Sequence, residues 1–222
     1  MLIDPIEKEL KKLQEENSRL KILSEVDGLT GLYNRLAGER LINDRLHKNA
    51  GGNFMVVDVD GFKKINDQYG HLFGDDVLRG LAALMKEIFG GENLVGRFGG
   101  DEFVIFTVKE WDAGKAIEKG KELIRRMEAM GRKMGVKDRF SATIGLSAYQ
   151  DKDTYSSMFS RADFALMQGK KSGKSAVYYY RELHNESRPV AAAESKGAED
   201  TGIDRDMELI WMDLREKGRP QG

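Results

Sequence analysis

The residues best placed to do chemistry are two acids beside a glycine pair. In Val95-Gly-Arg-Phe-Gly-Gly-Asp-Glu-Phe-Val-Ile-Phe106, Asp101 and Glu102 follow Gly99 and Gly100 between two apolar runs. Leu94 to Phe98 and Phe103 to Val108 have the β-branched and aromatic composition of strands, and the Gly-Gly pair signals a tight hairpin whose central residues need positive φ. Acids at such a sheet rim are costly to desolvate and call for a bound partner, and glycine lets a ligand approach the backbone closely. An ordinary hairpin with solvated acids is the competing reading. A third acid, Asp58, shifts the balance, because it lies at the end of the apolar run Asn53-Phe-Met-Val-Val-Asp-Val59. That run reads as a central strand covered on both faces, and ligand sites collect at the carboxyl ends of strands in open α/β sheets. Asp60 is read differently, as the N-cap of a short helix starting near Phe62.

The elements that position these acids follow from periodicity. Helices are expected from Arg35 to about Lys48, from about Asp76 to Phe89, from Asp112 to about Met134 and from Thr154 to Gln168. The last three carry apolar stripes at helical spacing, for example Val77, Leu81, Met85 and Ile88. Phe140 to Ala148 and Ala176 to Tyr180 complete the strands, so strands and helices alternate in one α/β unit.

Composition narrows the function classes. The chain has 222 residues, 36 Lys and Arg against 37 Asp and Glu, a net charge of −1 and no cysteine. That balance gives no electrostatic case for nucleic-acid or membrane-surface binding, and the missing cysteines exclude disulfides, thiolate metal sites and thiol nucleophiles. No apolar run nears the roughly 18 residues of a membrane span and no signal peptide opens the chain, so a cytoplasmic location is expected. Three regions are expected: residues 1–26, 27–182 and 183–222. The first is a helix capped by Asp4 with Pro5 at its first turn, in which Ile6, Leu13 and Leu20 recur every seven residues beside Leu10, Asn17 and Ser24. A short parallel coiled coil with a polar core position fits this pattern, with a solvated linker helix as the alternative. From Asn185 to Gly202 the Ala, Ser, Glu and Gly content reads as a flexible linker, followed by a tail helix with Ile203, Met207, Ile210, Trp211 and Leu214 on one stripe.

One motif misleads. Gly169-Lys-Lys-Ser-Gly-Lys-Ser175 looks like a phosphate-binding loop, but it has three residues between its glycines where that motif needs four, and it joins a helix to a strand rather than the reverse. Lys170 and Lys174 remain candidate phosphate partners.

Taken together, Asp27-Gly-Leu-Thr-Gly-Leu-Tyr-Asn-Arg35, Asp58-Val-Asp-Gly-Phe-Lys-Lys-Ile-Asn-Asp67, Gly70-His-Leu-Phe-Gly-Asp75, Gly99-Gly-Asp-Glu-Phe103 and Ala162-Asp-Phe-Ala-Leu166 closely resemble the GGDEF family, the diguanylate cyclases. The resemblance runs from about Asp27 to Tyr180. It implies an α/β (α+β) fold, a five-stranded mixed sheet wrapped by helices and related to the nucleotidyl-cyclase and polymerase palm, preceded here by an N-terminal signalling helix. It implies condensation of two GTP into cyclic di-GMP across a homodimer, each 3′-hydroxyl attacking an α-phosphate and releasing pyrophosphate. Two Mg²⁺ (or Mn²⁺) per active site are implied, with Asp58, the carbonyl of Val59, Asp101 and Glu102 as ligands and Asp101 near the reacting hydroxyl. That set suits the task, since Mg²⁺ takes hard oxygen ligands and phosphoryl transfer needs charge neutralisation above all. Phe62 and Lys63 would offer backbone N–H groups to the terminal phosphates, with Gly99 and Gly100 at the substrate and Lys170 and Lys174 clamping from the far side. Asn66 and Asp75 match the guanine readers, a carboxylate accepting from N1 and N2. His71 is expected to pack or cap.

Some positions depart from the family pattern. Met167 replaces a common Tyr, and Gly173-Lys-Ser175 stands where Gly-Arg-Asn is usual. Gly90-Gly-Glu-Asn93 occupies the place of an Arg-x-x-Asp product site and lacks both defining residues. Two further function classes stay open: a quiet GTP or cyclic di-GMP receptor, and a coiled-coil interaction module.

Overall fold

The computed structural model describes residues 7–14, 16, 24–48, 51–183 and 186–191. Residues 7–14 (α1) are helical, with Leu10 and Leu13 exposed. Ile6, Asn17 and Leu20, the cap at Asp4 and the expected tail helix lie outside the described residues. The remaining elements run α2 (Arg35–His47), β1 (Asn53–Val59), α3 (Phe62–Tyr69), α4 (His71–Phe89), β2 (Leu94–Gly99), β3 (Glu102–Phe106), α5 (Ala113–Met134), β4 (Ala142–Ala148), α6 (Tyr155–Lys171), β5 (Val177–Leu183) and β6 (Glu186–Ala191).

Among the described residues, three helices are capped by side chains. Asn34 Oδ1 accepts from the Ala37 N–H at 3.0 Å, Asp112 caps α5 through the Lys115 N–H at 2.7 Å, and Thr154 with Ser157 makes a reciprocal capping box on α6. Helix α4 begins at His71, earlier than its apolar stripe suggests, because Gly70 at φ 87 both ends α3 and starts α4. His71 is exposed there and neither packs nor caps.

The five expected strands form a mixed sheet, and β6 adds an edge, giving the order β2-β3-β1-β4-β5-β6. All neighbours are antiparallel except β4 and β5. Residues 186–191, which the composition assigns to a linker, thus form a strand paired with β5, since backbone pairing at a sheet edge asks little of composition.

Both faces of the sheet are covered. Met55, Val57, Val59, Phe103, Ile105, Ile144 and Leu146 pack under α4 and α5, while Phe54, Val56, Val104 and Phe106 pack under α2 and α6. Alternation along β1 therefore assigns Asp58 to the α2/α6 face, and alternation along β3 assigns Glu102 to the same face. Helix α6 lies so close to β4 that a Cβ on Gly145 would fall 2.0 Å from the Ala162 carbonyl oxygen. This close approach brings the last turn of α6 to the carboxyl end of β1. No helix among the described residues is long and apolar enough to cross a membrane.

Candidate active site

The acids singled out in the sequence meet at one rim. Asp58 stands opposite Glu102 on one side and Thr143 on the other in strand register, and the Val59 N–H donates to the Asp101 carbonyl at 3.3 Å. The hairpin itself differs from expectation. Its central residues are Gly100 and Asp101, not Gly99 and Gly100, because a bulge between Arg97 and Gly99 shifts the register by one. Gly100 takes the left-handed φ of 49° there and Asp101 does not need it. Asp101 therefore projects from the turn itself, beside the end of β1.

The charge of Asp58 is only partly met. Its side chain is 13% exposed, and Lys170 at the end of α6 approaches it at 2.8 Å. Burial pushes the Asp58 carboxyl above the ordinary aspartate range. The Lys170 ammonium opposes that shift, while the carboxylates of Asp101 and Asp60 reinforce it, and the net direction is upward. Among the described residues no three acidic or histidine side chains converge into a ready cage. The donors are nevertheless all oxygen, and a cation beside Asp58 relieves a repulsion the fold has built in, so the set fits a hard divalent ion. Lys170, expected on a phosphate, here stands in for that positive charge.

Residues that sequence reasoning gave no role hold the hairpin in place. The Arg97 guanidinium donates from Nε and Nη2 to the Gly100 carbonyl at 2.9 and 2.8 Å, and from Nη1 to Asp27 at 3.0 Å. Asp27 also accepts from the Thr30 N–H and hydroxyl at 2.9 and 2.6 Å. Partial burial raises the Asp27 carboxyl, but the Thr30 and Arg97 bonds outweigh it and hold the group below the usual range. Tyr33 stitches the same loop to β2, its N–H donating to Val95 and its carbonyl accepting from the Arg97 N–H at 2.8 Å. The motif from Asp27 to Arg35 is thus a brace for the turn that carries Asp101. An Arg two residues before a glycine pair, with an unexplained Asp upstream, is the signal that was available.

The other half of the site lies on α3 and α4. The Asn66 side-chain oxygen is buried without a hydrogen-bond partner, and a buried acceptor of that kind asks for a donor. Gly74 makes room for it, since a Cβ there would sit 1.9 Å from that oxygen. Asp75 follows immediately, half-buried. Gly61 caps α3 in the left-handed conformation with no side-chain hydrogen bond, which leaves Phe62 and Lys63 at an uncapped helix start. Lys174 is exposed on the loop after α6, lining a groove of ≈ 320 Å³ with Gly61 and Lys64. Asp60 is not a cap. Its carboxylate accepts from Ser141, Thr143 and the Ser175 N–H instead, because Gly61 turns the chain so that Asp60 faces β4.

In the segment before β2 the polar groups bond within the protein, although Gly90 and Asn93 also line a groove of ≈ 400 Å³ with Gly31, Tyr33 and Lys86. Asn93 Oδ1 accepts from the Val108 N–H at 2.9 Å, its Nδ2 donates to Gly90, and Arg45 binds the Glu92 carbonyl. A Cβ on Gly90 would lie 2.3 Å from the Lys86 carbonyl oxygen.

Comparison with known proteins identifies the family. The family model described as "Diguanylate cyclase, GGDEF domain" matches residues 24–176. Diguanylate cyclase DgcP of Pseudomonas aeruginosa is 33% identical over 172 residues, 72% of this chain and 24% of the relative. Probable diguanylate cyclase DgcC of Escherichia coli K12 is 30% identical over 173 residues, 73% of this chain and 45% of the relative. The chain thus spans between about a quarter and a half of these relatives. Among solved structures, the coiled coil and GGDEF domain of DgcB from Caulobacter crescentus in complex with c-di-GMP superposes with TM-score 0.70 at 24% identity, over 80% of this chain and 96% of that one. Diguanylate cyclase SiaD from Pseudomonas aeruginosa in complex with its activator SiaC gives 0.63 at 28% identity, over 80% and 70%.

Proposed function

The chain belongs to the GGDEF family, and from that premise we propose that it is an active diguanylate cyclase joining two GTP molecules into cyclic di-GMP across a homodimer. The observation that carries this is the rim where Asp58 meets the hairpin acids, with the Val59 N–H bonded to the Asp101 carbonyl and Asp58 held by a single ammonium. Asp58, the Val59 carbonyl, Asp101 and Glu102 would hold two Mg²⁺ or Mn²⁺ ions, which would supply charge neutralisation at the reacting phosphates. The chain's own groups do the rest. Asp101 takes the proton from the 3′-hydroxyl as its oxygen attacks the α-phosphate of the facing GTP, and pyrophosphate leaves. Glu102 adds negative charge to the same cation site. The start of α3 at Phe62 and Lys63 binds phosphate oxygens with Lys174, and Lys170, beside Asp58, stands at the same rim. Gly99 and Gly100 put no side chain beside Asp101 where substrate approaches. Asn66 and Asp75 select guanine, the buried Asn66 oxygen finding there the donor it lacks in the free protein.

Two regulatory consequences follow. Each chain holds one GTP, so turnover needs two facing chains, and α1 with its exposed leucines is the segment that brings them together. The segment Gly90 to Asn93 has no Arg fork at Gly90 and a neutral amide, already bonded within the protein, at Asn93, so the enzyme runs without tight feedback there. Incubation of the purified protein with GTP and Mg²⁺, followed by nucleotide separation, tests the reading. Cyclic di-GMP supports it, and GTP recovered unchanged by a folded dimer rejects it.

A further inference from the structure

We propose that Asp60 is a positioning residue for substrate phosphates, acting through the loop that carries Lys174. This rests on the cyclase reading above. The sequence offers Asp60 as a helix cap, and the structure gives it other work. Oδ1 accepts from the Thr143 hydroxyl at 2.7 Å, and Oδ2 accepts from the Ser141 hydroxyl at 2.9 Å and from the Ser175 N–H at 3.1 Å. The Asp60 N–H itself donates to the Ser141 carbonyl at 2.9 Å. One carboxylate therefore ties the end of β1, the start of β4 and the loop between α6 and β5.

That loop needs a tie. Lys174 and Ser175 both have left-handed backbones, φ 61 and 52, a conformation that costs energy for any residue with a Cβ. It is held from both sides, by the Lys174 N–H on the Gly169 carbonyl at 3.0 Å and by the Ser175 N–H on Asp60, with the Thr143 hydroxyl at 3.2 Å as a second acceptor. Without the Asp60 acceptor, nothing on the β1 side opposes relaxation of residue 175 to the right-handed or extended form, and Lys174 swings with it. In the observed conformation Lys174 lines one groove with Gly61 at the cap of α3, together with Asp60, Lys64, Asp138 and Arg139. Two acids two residues apart thus place the two lysines differently: Asp58 by direct ion pair with Lys170, Asp60 through the backbone of the residue after Lys174.

The role predicts a kinetic split. A cation that binds substrate and transition state alike acts on KM rather than kcat. Asp60→Asn should raise KM for GTP, and the Kd for 3′-deoxy-GTP, which binds but has no hydroxyl to react, by roughly tenfold, with kcat within about twofold of wild type. The effect should vanish in a Lys174→Ala background, because the loop then has no cation to place. Thr143→Val, nearly isosteric, should do the same more weakly, by about threefold, and covers the case in which Asp60→Asn folds poorly. A fall in kcat with unchanged KM and Kd, or effects that multiply with Lys174→Ala, would overturn the proposal and leave Asp60 a purely structural tie. A wild-type chain that makes no cyclic di-GMP would instead fail the underlying reading, and the 3′-deoxy-GTP measurement separates the two cases.

Discussion

The hairpin rim and the segment just ahead of it are about ten residues apart in sequence and opposite in character. At the rim, polar groups are left open: Asp58 has one ammonium partner, the Asn66 oxygen has none, and the start of α3 lacks a side-chain cap. Ahead of it, Asn93 uses both ends of its amide internally, Arg45 occupies the Glu92 carbonyl, and the backbone crowds Gly90. Buried or half-buried polar groups normally find partners inside the protein, so groups left without them mark where a ligand completes the structure. The family resemblance points to ligand sites in both regions, and the polar groups left without partners lie in the first.

The sharpest way to break this contrast is at the acids. Asp101→Asn or Asp58→Asn should lower turnover by about a thousandfold or more, the scale of losing a preorganised charge at a reacting phosphate. Near-normal cyclisation by either variant would remove the rim from the account. Asp58→Asn carries a second signature in the metal-free protein. A carboxyl whose folded pKa is raised stabilises the fold fully below the unfolded value of 3.8, and that contribution is lost as pH rises through the folded pKa. The variant should therefore melt at or above wild type near neutral pH, with the advantage gone in strong acid, as thermal scans across pH would show.

Next in size is the brace. Arg97→Ala frees the Gly100 carbonyl and leaves the partly buried Asp27 without its guanidinium, so kcat should fall by about 10- to 100-fold although Arg97 need not touch substrate. Unchanged kcat would mean that the turn holds its shape alone. Smaller still is the selectivity of Asp75, whose carboxylate meets donors on guanine and an acceptor at N1 of adenine. Asp75→Asn should narrow the preference for GTP over ATP by about tenfold in kcat/KM, read from competition between the two nucleotides. The smallest effect is expected in the segment before β2. Asn93→Asp keeps the acceptor for the Val108 N–H but loses the donor to Gly90, at about 1 kcal/mol of stability, and leaves the rate unchanged. Submicromolar inhibition of the wild-type enzyme by added cyclic di-GMP, noncompetitive with GTP, would show that the segment binds product without the Arg fork.

What the sequence revealed of this contrast, and what it hid, has a physical pattern. The β1 strand is legible to the residue because both of its faces are buried and the apolar run says so. The caps at Asp112 and Thr154 are legible because capping is a three-residue affair. The true turn at Gly100-Asp101 is not, since a bulge one residue earlier decides the register and leaves no composition mark. Nor are the partners of Arg97 and Asp60 legible, because Asp27 lies 70 residues from the first and Ser141, Thr143 and Ser175 lie 81 to 115 residues from the second. For Asp60 the local reading, a cap, is what the flanking residues suggest, and only the folded sheet brings β4 beside it.

The central claim is that the open rim of one chain reacts with that of another. Initial rates of pyrophosphate release and of cyclic di-GMP formation, measured together over a wide range of protein concentration, test it most directly. Two pyrophosphates per cyclic di-GMP are expected, with a specific activity that rises with concentration and a rise moved to higher concentration when residues 1–23 are removed. Pyrophosphate released without cyclic product, or activity per chain that stays flat under dilution with and without residues 1–23, would contradict it.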